Sequence, residues 1–201
     1  MDNINKIEYD NSMRERIIAA AIECIEKTGL PGLTVRRIAK EAHVNVAAVN
    51  YYFGSKDRLV EEVIRKTLYT AFDENIDDFL RDSNESPARA VEMFLNHFIS
   101  GALKYPNLVK IHFYEAFVNN NYRTASAKGM SSFVSEFEKI MYPVILKKSK
   151  RKFKIDMVQF WSAVFFPMIF PGQFRDYTGI NMKDPAWLKD YIARLLELYF
   201  R

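Results

Sequence analysis

The stretch VNVAAVNYYFGSKDRL, residues 44–59, gathers side chains that together suit the reading and holding of a nucleic acid. Asn50 carries an amide able to pair bidentately with an adenine edge, and Val46 and Ala47 are small apolar groups that can lie against a thymine methyl. Tyr51 and Tyr52 offer hydroxyls to phosphates while their rings pack on a neighbouring helix. Lys56 falls in a helix first turn, where free N–H groups already favour an anion and an ammonium adds a point charge for phosphate. Just upstream, Arg36 and Arg37 in TVRRIAKEA serve equally well as phosphate contacts or as a solvated face.

Such groups are useful only on short, rigid elements held at a fixed angle. Thr34 is an N-cap residue for a helix from Val35 to about Ala42, and Asn45 caps a second from Val46 to about Tyr52. The turn Ala42-His43-Val44 between them gives helix-turn-helix spacing, in which the second helix enters the major groove and the first braces the backbone. Upstream, Ser12 and Glu15 form an S-x-x-E capping box before Met13, Ile17, Ala21, Ile22 and Ile25, and the helix ends at Thr28-Gly29. Downstream, Ser55 caps a long helix with an apolar face from Leu59 to Leu80.

The rest of the chain continues as helix. Ser86-Pro87 opens one that reaches Tyr105, and Pro106 starts the next, through Phe117. Further helices run from about Thr124 to Lys147, about Ile155 to Phe170 and Pro185 to Arg201. The prediction is an all-α chain of about nine helices with no strand. Only Phe53 of the sixteen phenylalanines lies in the first 60 residues, whereas the later helices are filled with Phe, Tyr, Met and both tryptophans. That shift predicts two domains, residues 10–55 and 56–201, joined through a continuous helix.

Composition bounds the function. The 201 residues are 49% hydrophobic and 27% charged, ordinary for a globular chain, with a net charge of +4 that suits a polyanionic partner. A single cysteine, Cys24, excludes an internal disulfide, and the polar, acidic N-terminus and the lack of long apolar runs predict a cytoplasmic protein. Catalysis is not expected: Cys24 has no basic partner in view, and no nucleophile elbow or Gly-rich phosphate loop occurs. No cofactor or metal is expected either, because His112 and Glu115 share a face without a further His or Cys at ligand spacing. The run KKSKRKFK, residues 147–154, reads as a solvated loop between the seventh and eighth helices.

Residues 34–63, TVRRIAKEAHVNVAAVNYYFGSKDRLVEEV, resemble the DNA-binding signature of the TetR family of transcriptional regulators. The matching elements are T-V-x-x-I-A-x-x-A, a Val and a capping residue, then Y-Y-F-G-S-K-x-x-L, with I-x-x-A-A-x-x-x-I-x-x-x-G in the first helix. The chain departs from the pattern at His43, where Gly is usual in the turn, and at Ala48. The resemblance implies a homodimer that binds a palindromic double-stranded DNA operator, usually as a repressor, and that a small molecule releases by moving the fourth helix. It implies DNA-binding roles for Thr34, Arg36, Arg37, Asn45, Val46, Ala47, Asn50, Tyr51, Tyr52 and Lys56. The expected effector is apolar or aromatic, in a pocket of Phe94, His97, Phe98, Phe113, Phe117, Phe137, Trp161 and Phe165. The implied dimer surface comprises Phe160, Val164, Leu188, Tyr191, Ile192, Leu195 and Tyr199 from the last two helices. A second reading replaces the small molecule with a partner protein; a third, a helical interaction module with no DNA role, requires the region of Tyr52 and Lys56 to be buried.

Overall fold

The computed structural model describes residues 2–73, 86–142 and 149–200. Among them are ten helices and no strand: α1 (Asp2–Thr28), α2 (Val35–Glu41), α3 (Val46–Phe53), α4 (Lys56–Asp73) and α5 (Pro87–Lys104). Then follow α6 (Pro106–Asn119), α7 (Ala125–Met141), α8 (Lys150–Ile169), α9 (Pro171–Thr178) and α10 (Pro185–Tyr199). The all-α reading therefore holds.

Two helix starts and one additional helix differ from the sequence reading, each for a local reason. Helix α1 begins at Asp2 rather than Ser12, so the capping-box pair lies inside it; no Gly or Pro between them interrupts the helix. Helix α8 begins at Lys150, not Ile155, because the Ser149 hydroxyl accepts from the Lys152 N–H at 3.4 Å. The latter part of the basic run is thus the first turn of a helix rather than a loop. The helix beyond the expected nine is α9, started by Pro171 at its first position and closed by Gly179 at φ 73°. The expected extension of the fourth helix to Leu80 and of the seventh to Lys147 falls outside the described residues.

Two apolar cores account for the packing. The first joins Ile17, Ile18, Ala21, Cys24 and Ile25 of α1 to Ile38 and Ala39 of α2 and to Val49 and Phe53 of α3. Leu59 and Val63 of α4 belong to it as well, so this core reaches beyond residue 55, and Ile111 of α6 closes it. Cys24 is a buried packing residue here, and burial pushes its thiol pKa up. The second core is aromatic: Phe94 and Phe98 of α5, Phe133 and Phe137 of α7, and Phe153, Phe160 and Trp161 of α8, closed by Leu188, Ile192 and Leu195 of α10. Phe137 lies at its centre, stacked on Phe160 at 5.6 Å and edge-on to Trp161 at 4.9 Å. Pairs of this kind contribute about 0.5–1.5 kcal/mol each beyond the area they bury.

This second core takes up the residues expected to form a dimer surface. Phe160 and Ile192 are fully buried, and Val164, Leu188 and Leu195 are buried with them, inside the chain itself. Tyr191 donates its hydroxyl to the Ala163 carbonyl at 2.8 Å, tying α10 to α8, and burial pushes its pKa up to about 12. Tyr199 packs edge-on against Phe160. The apolar side chains that α8 and α10 turn outward are others: Ile155, Val158 and Phe166, and Trp187 and Leu198.

Among the described residues no single helix is long and apolar enough to cross a membrane. Helices α8 and α9 pass such a test only as a pair, and they are bent by 104° at their junction.

Candidate nucleic-acid interface and effector cavity

Capping fixes the geometry of α2 and α3. The Thr34 hydroxyl accepts from the Arg37 N–H at 3.2 Å, and Asn45 Oδ1 accepts from the Ala48 N–H at 2.7 Å, each satisfying a donor that the helix start leaves open. The turn between them is a Schellman motif. Val44 N–H donates to the Ala39 carbonyl at 2.9 Å and His43 N–H to the Lys40 carbonyl at 3.2 Å, with His43 at φ 53°. His43 thus holds the left-handed position where the resemblance expected Gly. Helix α3 ends at Gly54, φ 72°, and Ser55 follows as the cap of α4, its hydroxyl accepting from the Arg58 N–H at 3.2 Å.

Within this frame α3 divides cleanly. Val49 and Phe53 face the core, and the Arg14 guanidinium lies 5.4 Å from the Phe53 ring centre. Val46, Ala47, Asn50 and Tyr51 face outward, Tyr51 being 79% exposed. Tyr51 therefore does not pack on a neighbouring helix as the sequence suggested; its contact is edge-on with Tyr52, which is half-buried against the first core. Lys56 is half-buried at the start of α4. Arg36 is exposed, whereas Arg37 is turned back onto its own chain, donating to the Gly32 carbonyl at 2.9 Å. Sequence reasoning left out Lys40 and Arg58, which are also exposed and, among the described residues, face no carboxylate partner. The cations bordering α3 are thus available to an external anion.

A cavity of about 670 Å³ lies between α6, α7 and α8, a size typical of small-molecule sites. Phe113, Ala116 and Phe117 of α6, Met130 and Val134 of α7 and Phe165 of α8 give it an apolar wall. Ser131, Ser135, Thr124, Tyr122 and His112 add polar groups, and the Glu138–Lys154 ion pair lies at its edge. Three of the eight expected pocket residues, Phe113, Phe117 and Phe165, are lining residues. Phe94, Phe98, Phe137 and Trp161 belong to the solid aromatic core instead, and His97 is exposed on α5. Helical spacing places an aromatic on an inward face but cannot say whether another side chain or a void lies opposite. Among the described residues the Trp161 indole N–H has no acceptor.

His112, which the sequence left as a locally satisfied residue, joins three helices. Its Nε2 lies 3.0 Å from Thr67 Oγ1 on α4, and its Nδ1 lies 3.1 Å from Ser126 Oγ on α7. Burial lowers its pKa to about 4, so the ring is neutral at neutral pH. A second long-range tie is made by Glu26 of α1. Its carboxylate accepts from the backbone N–H groups of Asn107 at 3.0 Å and Leu108 at 3.2 Å, capping α6, which has no side-chain cap of its own. Nothing in the sequence signals either link, since the partners are 45 and 81 residues apart.

A capped helix-turn-helix with an outward second helix, mounted on a helical body that carries a cavity, is the build of a DNA-binding regulator. The comparisons agree. Residues 17–63 match the pattern of bacterial regulatory proteins of the tetR family. The HTH-type transcriptional regulator BetI 1 of Chromohalobacter salexigens is 41% identical over 56 residues, which cover 28% of this chain and 28% of that protein. YttP of Bacillus subtilis, an HTH-type transcriptional regulator, is 21% identical over 192 residues, 92% of this chain and 90% of that one. The fold of a TetR-family regulator from Mesorhizobium loti superposes with a TM-score of 0.68 at 18% identity, covering 94% of this chain and 96% of the other. Residues 17–63 thus carry the pattern of the tetR family of bacterial regulatory proteins, and the chain as a whole shares the fold of the Mesorhizobium loti protein.

Proposed function

We propose that this protein is a homodimeric repressor of transcription that reads a palindromic operator through α3 and releases it when an apolar or aromatic small molecule fills the cavity between α6, α7 and α8. The observation that carries the DNA-binding part is the outward face of α3. Ala47, Asn50 and Tyr51 are exposed on a helix capped at both ends and bordered by Lys40, Lys56 and Arg58, which have no carboxylate partner among the described residues. Ala47 and Asn50 read base edges, Val46 meets a thymine methyl, and Thr34, Arg36, Asn45, Tyr51, Tyr52 and Lys56 hold phosphates. Arg37 positions the start of α2 through the Gly32 carbonyl instead. An interaction module without a DNA role has less support, since Asn50 and Tyr51 are exposed and Tyr52 and Lys56 are only half-buried.

The DNA-reading unit includes the first two turns of α4, and the remaining helices sense and dimerise. The dimer surface is the outward stripe of Ile155, Val158 and Phe166 on α8 with Trp187 and Leu198 on α10, apolar groups that a monomer would leave in water.

The test is selection of duplexes from a random pool with the purified protein, followed by titrations at several salt concentrations. A recovered palindrome bound with a log–log salt slope of about −4 to −8 is the expected result. No enriched sequence and a flat slope would overturn the reading.

A further inference from the structure

Helix α6 has two sides that belong to different parts of the molecule. Ile111 is buried in the first core, with Leu108 packed against it, while Phe113, Ala116 and Phe117 line the cavity. His112 stands between the two and also lines the cavity. Its hydrogen bonds have a defined direction. Thr67 Oγ1 donates its single proton within its own helix, to the Val63 carbonyl at 2.8 Å, with the Ile64 carbonyl at 3.2 Å. Toward His112 the hydroxyl can then only accept, so Nε2 carries the ring proton. Nδ1 is left as the acceptor for the Ser126 hydroxyl, which is buried. The chain Ser126 to His112 to Thr67 to Val63 thus runs from α7, through His112 on the cavity wall, into α4, whose first two turns belong to the DNA-reading unit.

The first turn of α6 is held separately, by the Glu26 carboxylate. A shift of α6 about that fixed end therefore reaches α4 at His112, one turn beyond Leu108. We propose that His112 is the positioning residue that transmits occupancy of the cavity to α4, through its hydrogen bond to Thr67. This rests on the reading of the cavity as an effector site. A ligand that moves the ring, or draws Ser126 away from Nδ1, weakens the tie that fixes α4 against α6 and α7. The angle at which α3 is presented changes with it.

The test compares the full chain with Thr67→Val. Valine keeps the shape of threonine, removes the acceptor and lies outside the cavity wall. The probe is 1-anilinonaphthalene-8-sulfonate, titrated by fluorescence into each protein, free and saturated with the selected operator duplex. Linkage is reciprocal, so the operator should change probe affinity in the native chain by about five-fold or more. Thr67→Val should leave probe affinity for the free protein within about two-fold while the operator effect falls below about two-fold. Ser126→Ala, at the other end of the chain of bonds, gives the same expectation and serves if Thr67→Val fails to fold. In the native protein the ring nitrogens of His112 should show the Nε2-protonated tautomer by NMR and shift when the probe binds. An undiminished operator effect in both variants overturns the role of His112 and leaves effector control standing. A probe that does not bind, or that binds the native chain with no operator effect, overturns effector control and the relay together.

Discussion

Asn50 and Lys56 differ in what they can do, although only a helix end separates them. An amide on the exposed face of α3 can discriminate bases, so Asn50→Ala should relax preference at one position in each half-site at a cost of about 1–3 kcal/mol. An ammonium at the start of α4 carries no sequence information. Lys56→Ala should weaken binding equally on all duplexes and reduce the salt slope by about one. Competition titrations with operator and random DNA separate the two, and equal losses from Asn50→Ala would remove it from the reading face. His112 gives a different prediction, in stability. Burial depresses its pKa from 6.5 to about 4, so between these values the unfolded chain binds the proton and the folded chain does not. Stability should be unaffected by this group above about pH 6.5 and fall by about 3 kcal/mol as the pH drops to about 4. His112→Gln should flatten that part of the profile in urea unfolding; an unchanged profile would mean the folded and unfolded chains protonate the ring alike.

At the scale of elements, the helix starts show how capping is shared between near and distant residues. Thr34, Asn45, Ser149 and Asp184 cap their own helices; Thr34 and Asn45 were readable just before a periodic run, whereas Ser149 starts α8 ahead of the expected Ile155. Helix α6 begins at Pro106 without such a group, and Glu26 from α1 supplies it across the chain. Glu26→Ala should destabilise the protein by about 1–2 kcal/mol in urea unfolding, with amide exchange at Asn107 and Leu108 accelerated. No acceleration there would place the loss elsewhere. The same packing explains why α6 is apolar on more than one face: it serves the first core with Ile111 and the cavity with Phe113 and Phe117.

For the molecule as a whole, the division between buried and outward faces bears on how the proposed dimer would form. The residues with the most obvious apolar spacing in α8 and α10 are spent on the chain's own core, leaving Val158 at 67% exposure and Trp187 at 47%. Val158→Asp should therefore shift the protein toward monomer in sedimentation, with a fold unchanged by circular dichroism and a loss of affinity for the palindrome. A dimer that survives both this change and Trp187→Glu would place the interface on another face. Phe160→Asp, by contrast, should unfold the chain, since that ring is fully buried.

The sequence by itself determined the all-α class, the helix-turn-helix with its caps and turn, and the likeness of residues 17–63 to the tetR pattern. All of these rest on local rules: a Thr or Asn before a periodic run, a turn of fixed length, residues 34–56 in one contiguous pattern. The tertiary structure alone decided which aromatics fill the core and which line a cavity, because periodicity gives Phe113 and Phe137 the same inward direction without saying what stands opposite. It also decided that Leu188 and Ile192 face inward and Trp187 outward, and that Glu26 meets Asn107 and Thr67 meets His112. Those pairings join residues far apart in the chain, and their free energy exists only once the helices have packed.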